Sequence, residues 1–291
     1  MTWLLWLGLV LCLLALAAAG VSAYGKRRWT EATRALNAGL EGARIAAQVG
    51  SASAARFNSG ELQGLPTPVQ RYFRAVLRQG QPIVSAVTIE MAGTFNMSAA
   101  EENWKRFTSR QRVVTRRPGF LWDAQLSLLP GVKVRVVDSY IAGKGLLHAA
   151  VLGLFNVADV SGEGDIARGE FMRFCAEAPW YPTALLPSQG VQWAAVDSRS
   201  ANATIMDGPL TLTLLFGFND AGLIESVRSE ARGGLVGNKV VMMPWECGLS
   251  RYELRDGMIV PIAGEAAWIR PEGRKPYFKG TITSLAYEFA L

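Results

Sequence analysis

Residues 208–222 read GPLTLTLLFGFNDAG, and apolar and polar side chains alternate within them. Leu210, Leu212 and Leu214 share one parity, and Thr211 and Thr213 take the other. In a β-strand, successive side chains point to opposite faces, so an apolar face repeats every two residues. In a helix it would repeat about every 3.6 residues. The stretch therefore predicts a half-buried strand, and its closing Asn-Asp-Ala-Gly predicts a turn.

The same pattern extends outward along most of the chain after residue 83. Turn signals such as RPG at 117–119, LPG at 129–131 and RDG at 255–257 separate alternating runs by about ten residues, which is typical of an antiparallel meander. Alternating runs begin with Val87, Ile89 and Met91 and recur at Val132, Val134 and Val136. Further strands are predicted near 104–115, 120–128, 190–196, 200–206, 223–232, 236–243, 249–254, 258–269 and 276–289.

Two helices are predicted within this strand-rich part. One covers about residues 68–79, after Pro66, and the other runs from Arg168 to Ala178 and ends before Pro179. A large antiparallel sheet cannot leave an apolar face open to water. The predicted fold class is therefore mainly β with a few helices: an N-terminal transmembrane helix, then a large curved antiparallel sheet or half-barrel covered by helices.

The N-terminus predicts a membrane anchor. Residues 2–23 contain no charged side chain, and a helix of this length crosses a hydrocarbon core of about 30 Å. A cleaved signal peptide usually has a positively charged start, which Met1 and Thr2 do not supply. The small residues 17–19 resemble a cleavage site, so a signal peptide is the alternative.

Charge suggests how the anchor is oriented. Residues 24–78 hold nine Lys or Arg and three Glu, so their net charge of +6 equals that of the whole chain. Since Lys26, Arg27 and Arg28 directly follow the apolar run, the positive-inside rule predicts an inner-membrane protein with a cytoplasmic C-terminal part, the periplasm being the alternative. The neutral remainder does not suit a nucleic-acid partner. The expected parts are residues 1–25 as anchor, 26–65 as a basic juxtamembrane stalk and linker, and 66–291 as the β domain.

Most familiar catalytic and metal-binding chemistry has no motif here. One histidine and three scattered cysteines do not provide the closely spaced ligands of a zinc site. The segments 143–145 and 162–164 lack the spacing of phosphate-binding loops and are interpreted as turns. His148 lies in no catalytic-triad motif and is interpreted as structural. We therefore expect no metal and no cofactor, and the sequence favours a non-enzymatic protein.

Several side chains are nevertheless candidates for a ligand site. Asp138 and Tyr140 share the inward parity of their strand, and a buried carboxylate needs a partner. Glu170, Arg173 and Glu177 recur along one helix and could orient a polar group, or form a solvated ladder of ion pairs. Large aromatic residues could line an apolar cavity, or simply fill the core. These candidates are Asp138, Tyr140, Glu170, Arg173, Glu177, Trp180, Trp193 and Trp245.

Residues 170–186, EFMRFCAEAPWYPTALL, followed by VQW at 191–193, carry a family resemblance. With supporting pieces such as LPTPVQRY at 65–72 and Pro244-Trp245, they resemble the signature of an uncharacterised bacterial family of membrane-associated proteins over about residues 66–291. The resemblance implies a domain of unknown function and assigns no catalytic residues. More loosely, the predicted half-barrel is similar to bacterial lipoprotein carriers, which hold acyl chains.

These observations together favour a membrane-anchored protein that binds a membrane lipid or another hydrophobic molecule in a groove of the half-barrel. An enzyme with a pocket of Asp138, Glu170, Arg173 and Glu177 is one alternative. A non-catalytic interaction scaffold tethered to the membrane is the other.

Overall fold

The computed structural model describes residues 2–48, 55–98, 101–129, 131–236 and 239–290. Three α-helices and four short 3₁₀ segments occur among them. The α-helices are α1 (Thr2–Gln48), α2 (Thr67–Val76) and α3 (Asp165–Glu177), and the 3₁₀ segments are Ser59–Leu62, Ala178–Trp180, Pro182–Leu185 and Pro187–Gln189.

Thirteen strands form one antiparallel, unclosed sheet in the order β6-β5-β4-β3-β2-β1-β13-β12-β11-β10-β9-β8-β7. Two meanders, β1–β6 and β7–β13, therefore share the sheet and meet where β1 pairs with β13. The strands are β1 (Val84–Asn96), β2 (Trp104–Val114), β3 (Gly119–Leu129), β4 (Val132–Ile141), β5 (Lys144–Val151), β6 (Phe155–Gly162), β7 (Gln192–Ala195), β8 (Ser200–Asp207), β9 (Leu210–Phe218), β10 (Ile224–Val236), β11 (Lys239–Arg255), β12 (Met258–Arg270) and β13 (Gly273–Phe289).

The sheet curves around α3. This helix contacts both β4 and β10, which are seven strand positions apart and would be separated by about 34 Å in a flat sheet. A helix is only about 10 Å across, so both wings of the sheet must bend toward it. Tyr140 of β4 also donates a hydrogen bond from Oη to Asp207 Oδ2 of β8 at 2.7 Å. The predicted half-barrel class is confirmed.

Helix α3 lies on the concave face and is enclosed on nearly all sides. Phe171, Phe174 and Cys175 are buried, as predicted for its apolar face. Glu170 and Glu177 are also buried, with 6% and 8% of their surfaces exposed. The interpretation of the charged face as a solvated ladder is therefore wrong, because the curved sheet covers that face too.

Helix α1 is continuous from its apolar start into the predicted stalk, as far as Gln48. By length and composition it contains a segment able to cross a membrane, and its first residues are exposed. Its second half packs on the outer face of β1–β5, opposite to α3. The buried residues of this outer contact are Trp29, Leu40, Ala86, Val114, Leu121, Val137 and Ala150.

Contacts of α1 identify the two ends of the sheet. Leu40 Cδ1 lies so close to Gly119, the first residue of β3, that a Cβ there would be 2.8 Å away. Gly25 packs directly against the carbonyl of Leu152, just after β5. We therefore call the two ends of the sheet the Leu40 end and the Gly25 end. At the Leu40 end, α2 and the 3₁₀ segments close the barrel, with Val84 N donating to Thr183 Oγ1 at 2.9 Å.

Some element boundaries differ from the sequence expectations. Strands β5 and β6 were not expected, because β5 is covered by α1 on one face and α3 on the other and so lacks alternation. The two strands expected at 236–243 and 249–254 are one strand, β11. Pro244 interrupts the pattern at the place where the β10–β11 register shifts between Ser229 and Arg232. A bulge is a position where proline's missing N–H is tolerated.

Candidate ligand-binding site

A buried polar group surrounds Arg173 of α3. Its Nη1 donates to Asp138 Oδ2 of β4 at 2.8 Å, and its Nε donates to Glu177 Oε1 at 2.7 Å. Only 13% of the Arg173 side chain is exposed. Asp138 faces inward because no register shift falls between it and Val134 in the β3–β4 pairing. The structure thus brings together three of the predicted residues, on two elements.

Neighbouring strands complete the surroundings of Arg173. Gln111 Nε2 of β2 donates to Glu177 Oε2 at 2.6 Å. The Arg173 guanidinium carbon lies 5.0 Å from the ring centroid of Phe120 and 4.7 Å from that of Trp122. Cation–π contacts of this kind are stronger when the cation is desolvated. The guanidinium is therefore held by carboxylates and by aromatic faces at once.

A second arginine, the half-buried Arg232 of β10, approaches from the other wing. Its guanidinium carbon lies 4.4 Å from the Trp245 ring centroid. Trp245 Nε1 donates to Tyr277 Oη at 2.9 Å, and Tyr277 stacks on Trp268 at 5.8 Å between centroids. Arg232 also lies beside α3, since its Nε would be 3.9 Å from a Cβ at Gly169. We call Asp138, Glu170, Arg173, Glu177 and Arg232 the buried polar cluster.

Three atoms of this cluster are buried without a hydrogen-bond partner: Asp138 Oδ1, Glu170 Oε2 and Arg232 Nη1. A buried polar atom left unpaired costs about 1–3 kcal/mol, and such groups in native proteins call for an explanation. Two acceptors and one donor of this kind form a set that a polar ligand group can satisfy.

Electrostatics sets the protonation of the cluster. Burial, reinforced by the charge of Asp138, raises the pKa of Glu170 to about 8. Burial also raises the pKa of Asp138, although the charges of Arg173 and Arg232 oppose that shift. Because its pKa lies above 7, Glu170 is mostly protonated at pH 7. Protonated Glu170 can then donate a hydrogen bond.

Aromatic rings lie on the concave side at the Gly25 end of the sheet. Phe95 of β1, Trp268 of β12, and Tyr277 and Phe278 of β13 are half-buried and pack on the main core. Phe95 and Tyr277 are 5.7 Å apart, edge to face, and Phe278 lies 5.1 Å from Phe107. We call these four half-buried rings the aromatic opening. Tyr277 and Trp245 connect it to Arg232 in the buried polar cluster.

The remaining candidates lie in other surroundings. Tyr140 is fully buried, stacks on Phe171 at 4.9 Å and bonds Asp207. Trp180 is buried against Gly264, and its Nε1 has no hydrogen-bond partner. The structure gives these two residues no hydrogen bond to the cluster.

Trp193 packs in the β7–β9 wing. Its Nε1 donates to the carbonyl of Leu185 at 3.0 Å, and its ring contacts Phe73, Phe216 and Phe218. It therefore belongs to the packing of α2 against that wing rather than to the cluster.

Sequence reasoning missed Arg232, Gln111 and Tyr277. These residues lie in alternating strands, and nothing in the sequence around them distinguishes them from other strand residues. The one local sign of the bulge beside Arg232 is Pro244, which lies opposite it. His148 stacks on Trp29 at 5.3 Å, as part of the α1 contact. Within the described ranges, no group of three or more His, Cys, Asp or Glu is placed to hold a metal ion.

Fold and site together define a mainly β protein whose unclosed sheet wraps a helix and a buried polar cluster. Residues 63–287 match the model of DUF6920, a family of unknown function, and the chain belongs to that family. The predicted membership of an uncharacterised family is confirmed. No protein of curated function matches the sequence significantly.

Two solved structures show a distant likeness. A LolA superfamily protein from Nitrosomonas europaea is 10% identical, with a TM-score of 0.32, over 77% of this chain and 93% of that one. A porin-like protein from Bacteroides uniformis is 8% identical, with a TM-score of 0.24, over 71% of this chain and 96% of that one. Neither likeness bears on what this chain binds.

Proposed function

We propose that α1 anchors the chain in the inner membrane and that the half-barrel binds a membrane lipid or another hydrophobic molecule with a polar group. The observation that carries this proposal is the buried polar cluster, with its three unpartnered atoms, behind the aromatic opening. Sites for small hydrophobic ligands are mostly apolar, with a few placed polar groups that orient the ligand.

The apolar part and the polar group of such a ligand would contact different residues. Its apolar part would lie among the rings of the aromatic opening and Trp245. Its polar group would reach Arg232 Nη1 and Glu170 Oε2, which have no partner within the protein. Side chains of α3 and aromatic rings fill the concave face, so ligand entry requires the four opening rings to rotate.

The position of the opening supports supply from a bilayer. The opening lies at the Gly25 end of the sheet, and Gly25 directly follows the uncharged start of α1. A span formed by residues 2–23 would therefore leave the membrane at the same end of the sheet as the opening. Lys26, Arg27 and Arg28 favour the cytoplasmic side. Protease treatment of intact and permeabilised cells tests this side, and digestion of the sheet in intact spheroplasts would contradict it.

Lipid extraction tests the binding. We expect the full chain, purified in mild detergent, to carry a stoichiometric amphiphile that native mass spectrometry detects and organic extraction releases. Arg232→Met removes the free donor and should lower occupancy. Arg228→Met is the matched control, because Arg228 lies on the same strand and pairs with the exposed Glu230. Absence of any bound amphiphile in the wild-type protein would refute the proposal.

An enzyme is the second candidate, and the raised pKa of Glu170 favours it. A carboxylic acid with a pKa of about 8 can act as a general acid near neutral pH. This candidate predicts turnover of a bound lipid ester, with a rate that falls as pH rises through about 8 and that Glu170→Gln abolishes. If the extracted amphiphile is unchanged on prolonged incubation with the protein, the enzyme candidate is rejected.

A further inference from the structure

A separate surface cavity of about 270 Å³ lies between α1 and the outer face of the sheet, at the Gly25 end. Its lining includes Ser22 and Lys26 of α1, Lys133 and Arg135 of β4, and Leu152. We infer that this cavity binds the phosphate-bearing headgroup of an anionic phospholipid. The inference rests on the proposed anchor, because it requires α1 to leave the bilayer at this level.

The position of the cavity along α1 matches the level at which the helix would leave the bilayer. Ser22 belongs to the uncharged run of α1, and Lys26 is the first charged residue after it. Both line the same cavity. A cavity that spans the last uncharged turn and the first cation of a membrane helix lies where the hydrocarbon region meets the headgroups.

The charge of the cavity suits an anion. Lys26, Lys133 and Arg135 contribute three positive charges, and none of the described residues that line the cavity is acidic. Lys133 Nζ is 3.3 Å from Gln125 Oε1, a neutral partner that leaves the ammonium charge uncompensated. Asp123, further along β3, accepts a hydrogen bond from Trp29 Nε1 at 2.9 Å and also interacts electrostatically with Arg135, so it offsets part of that charge but none of the lysine charges. The cavity is therefore cationic where anionic headgroups would be.

Exposed apolar side chains accompany the cavity. Leu129, at the end of β3, is 67% exposed, and Phe155, at the start of β6, is 63% exposed. The β3–β4 register pairs Ser127 with Lys133 and, after a register shift, Leu129 with Val132, so Leu129 extends past Lys133 by about 3 Å in the direction of the apolar run. Apolar side chains that lie further toward the membrane interior than the cations would contact acyl chains, while the cations contact phosphates. This arrangement favours a lipid over a free phosphate ester.

The experiment compares lipids retained by the full chain. The protein is incorporated into nanodiscs of phosphatidylcholine with one tenth phosphatidylglycerol, released into detergent, and analysed by native mass spectrometry. We expect wild-type protein to retain phosphatidylglycerol selectively. A cation near a membrane surface strengthens binding about fivefold, so Lys26→Gln, Lys133→Gln and Arg135→Gln should each lower the selectivity by about that factor. The triple variant should retain the two lipids in the ratio in which they were supplied.

A matched triple variant controls for net charge. Arg78→Gln, Lys144→Gln and Lys275→Gln remove three exposed cations outside the cavity and should leave the selectivity unchanged. Equal loss in both triple variants, or no selectivity in correctly incorporated wild-type protein, would overturn the headgroup site and leave the anchor intact. Failure of the chain to enter nanodiscs would overturn both. Because the three cavity cations are on the surface, circular dichroism of each variant should match wild type.

Discussion

Replacing Arg173 by methionine tests whether the buried polar cluster is as desolvated as the structure describes. The substitution keeps an apolar stem beside Phe120 and Trp122 but removes the donors to Asp138 and Glu177. Two carboxylates would then be buried without their cation. Breaking a buried ion pair by removing one partner typically costs about 3–5 kcal/mol.

The expected loss in the free energy of unfolding is therefore about 4 kcal/mol, and the melting temperature should fall by roughly 10 °C. Urea denaturation of the full chain in mild detergent, followed by tryptophan fluorescence, measures the change. A matched control is Arg228→Met, whose exposed pair with Glu230 should contribute at most about 1 kcal/mol.

A compensating variant separates charge from packing. Combining Arg173→Met with Asp138→Asn and Glu177→Gln removes the unpaired charges and should recover most of the lost stability. If Arg173→Met alone costs less than about 1 kcal/mol, the cluster behaves as a hydrated surface ladder and the described burial is refuted. If the triple variant is no more stable than the single one, the loss comes from packing instead of from charge.

Because burial raises the pKa of Glu170 to about 8 in the folded chain, only the folded state keeps this proton above the ordinary value of about 4.3, so stability falls as pH rises toward about 8. Glu170→Gln should remove that part of the fall in a pH series of denaturation curves, and identical pH slopes would contradict the shift. Gly25→Ala should destabilise the chain in a thermal melt because its Cβ would clash with a backbone carbonyl, whereas Gly39→Ala, with open space around it, should stabilise α1 by up to about 1 kcal/mol. Cys175 and Cys247 are buried and burial raises the pKa of both thiols, so maleimide should label them only after unfolding; labelling of either in native protein would disprove this burial.

The sequence predicted strands correctly where one face of the strand is buried and the other is exposed to solvent. Stretches such as residues 208–222 keep a clean period of two for that reason. Strand β5 escaped prediction because α1 and α3 cover its two faces, and both helices come from distant parts of the chain. The edge strand β6 was not predicted because its apolar residues, such as Phe155 and Val157, are exposed and so do not mark a buried face.

The candidate site was predictable only in part. Inward parity identified Asp138, and helical spacing identified Arg173 and Glu177, since both follow from local geometry. Arg232 could not be found in this way, because its approach to α3 depends on the curvature of the whole sheet and on a bulge opposite Pro244. The burial of Glu170 likewise depends on both wings of the sheet closing around α3.

Photo-crosslinking with a fatty acid that carries a diazirine on its chain shows whether an acyl chain lies among the rings of the aromatic opening. The full chain in nanodiscs is irradiated with the probe, digested, and sequenced by mass spectrometry. We expect crosslinks to peptides that contain Trp268, Tyr277 and Phe278, and we expect competition with the extracted amphiphile to remove them. Crosslinks confined to α1 and the outer face of the sheet would contradict this expectation.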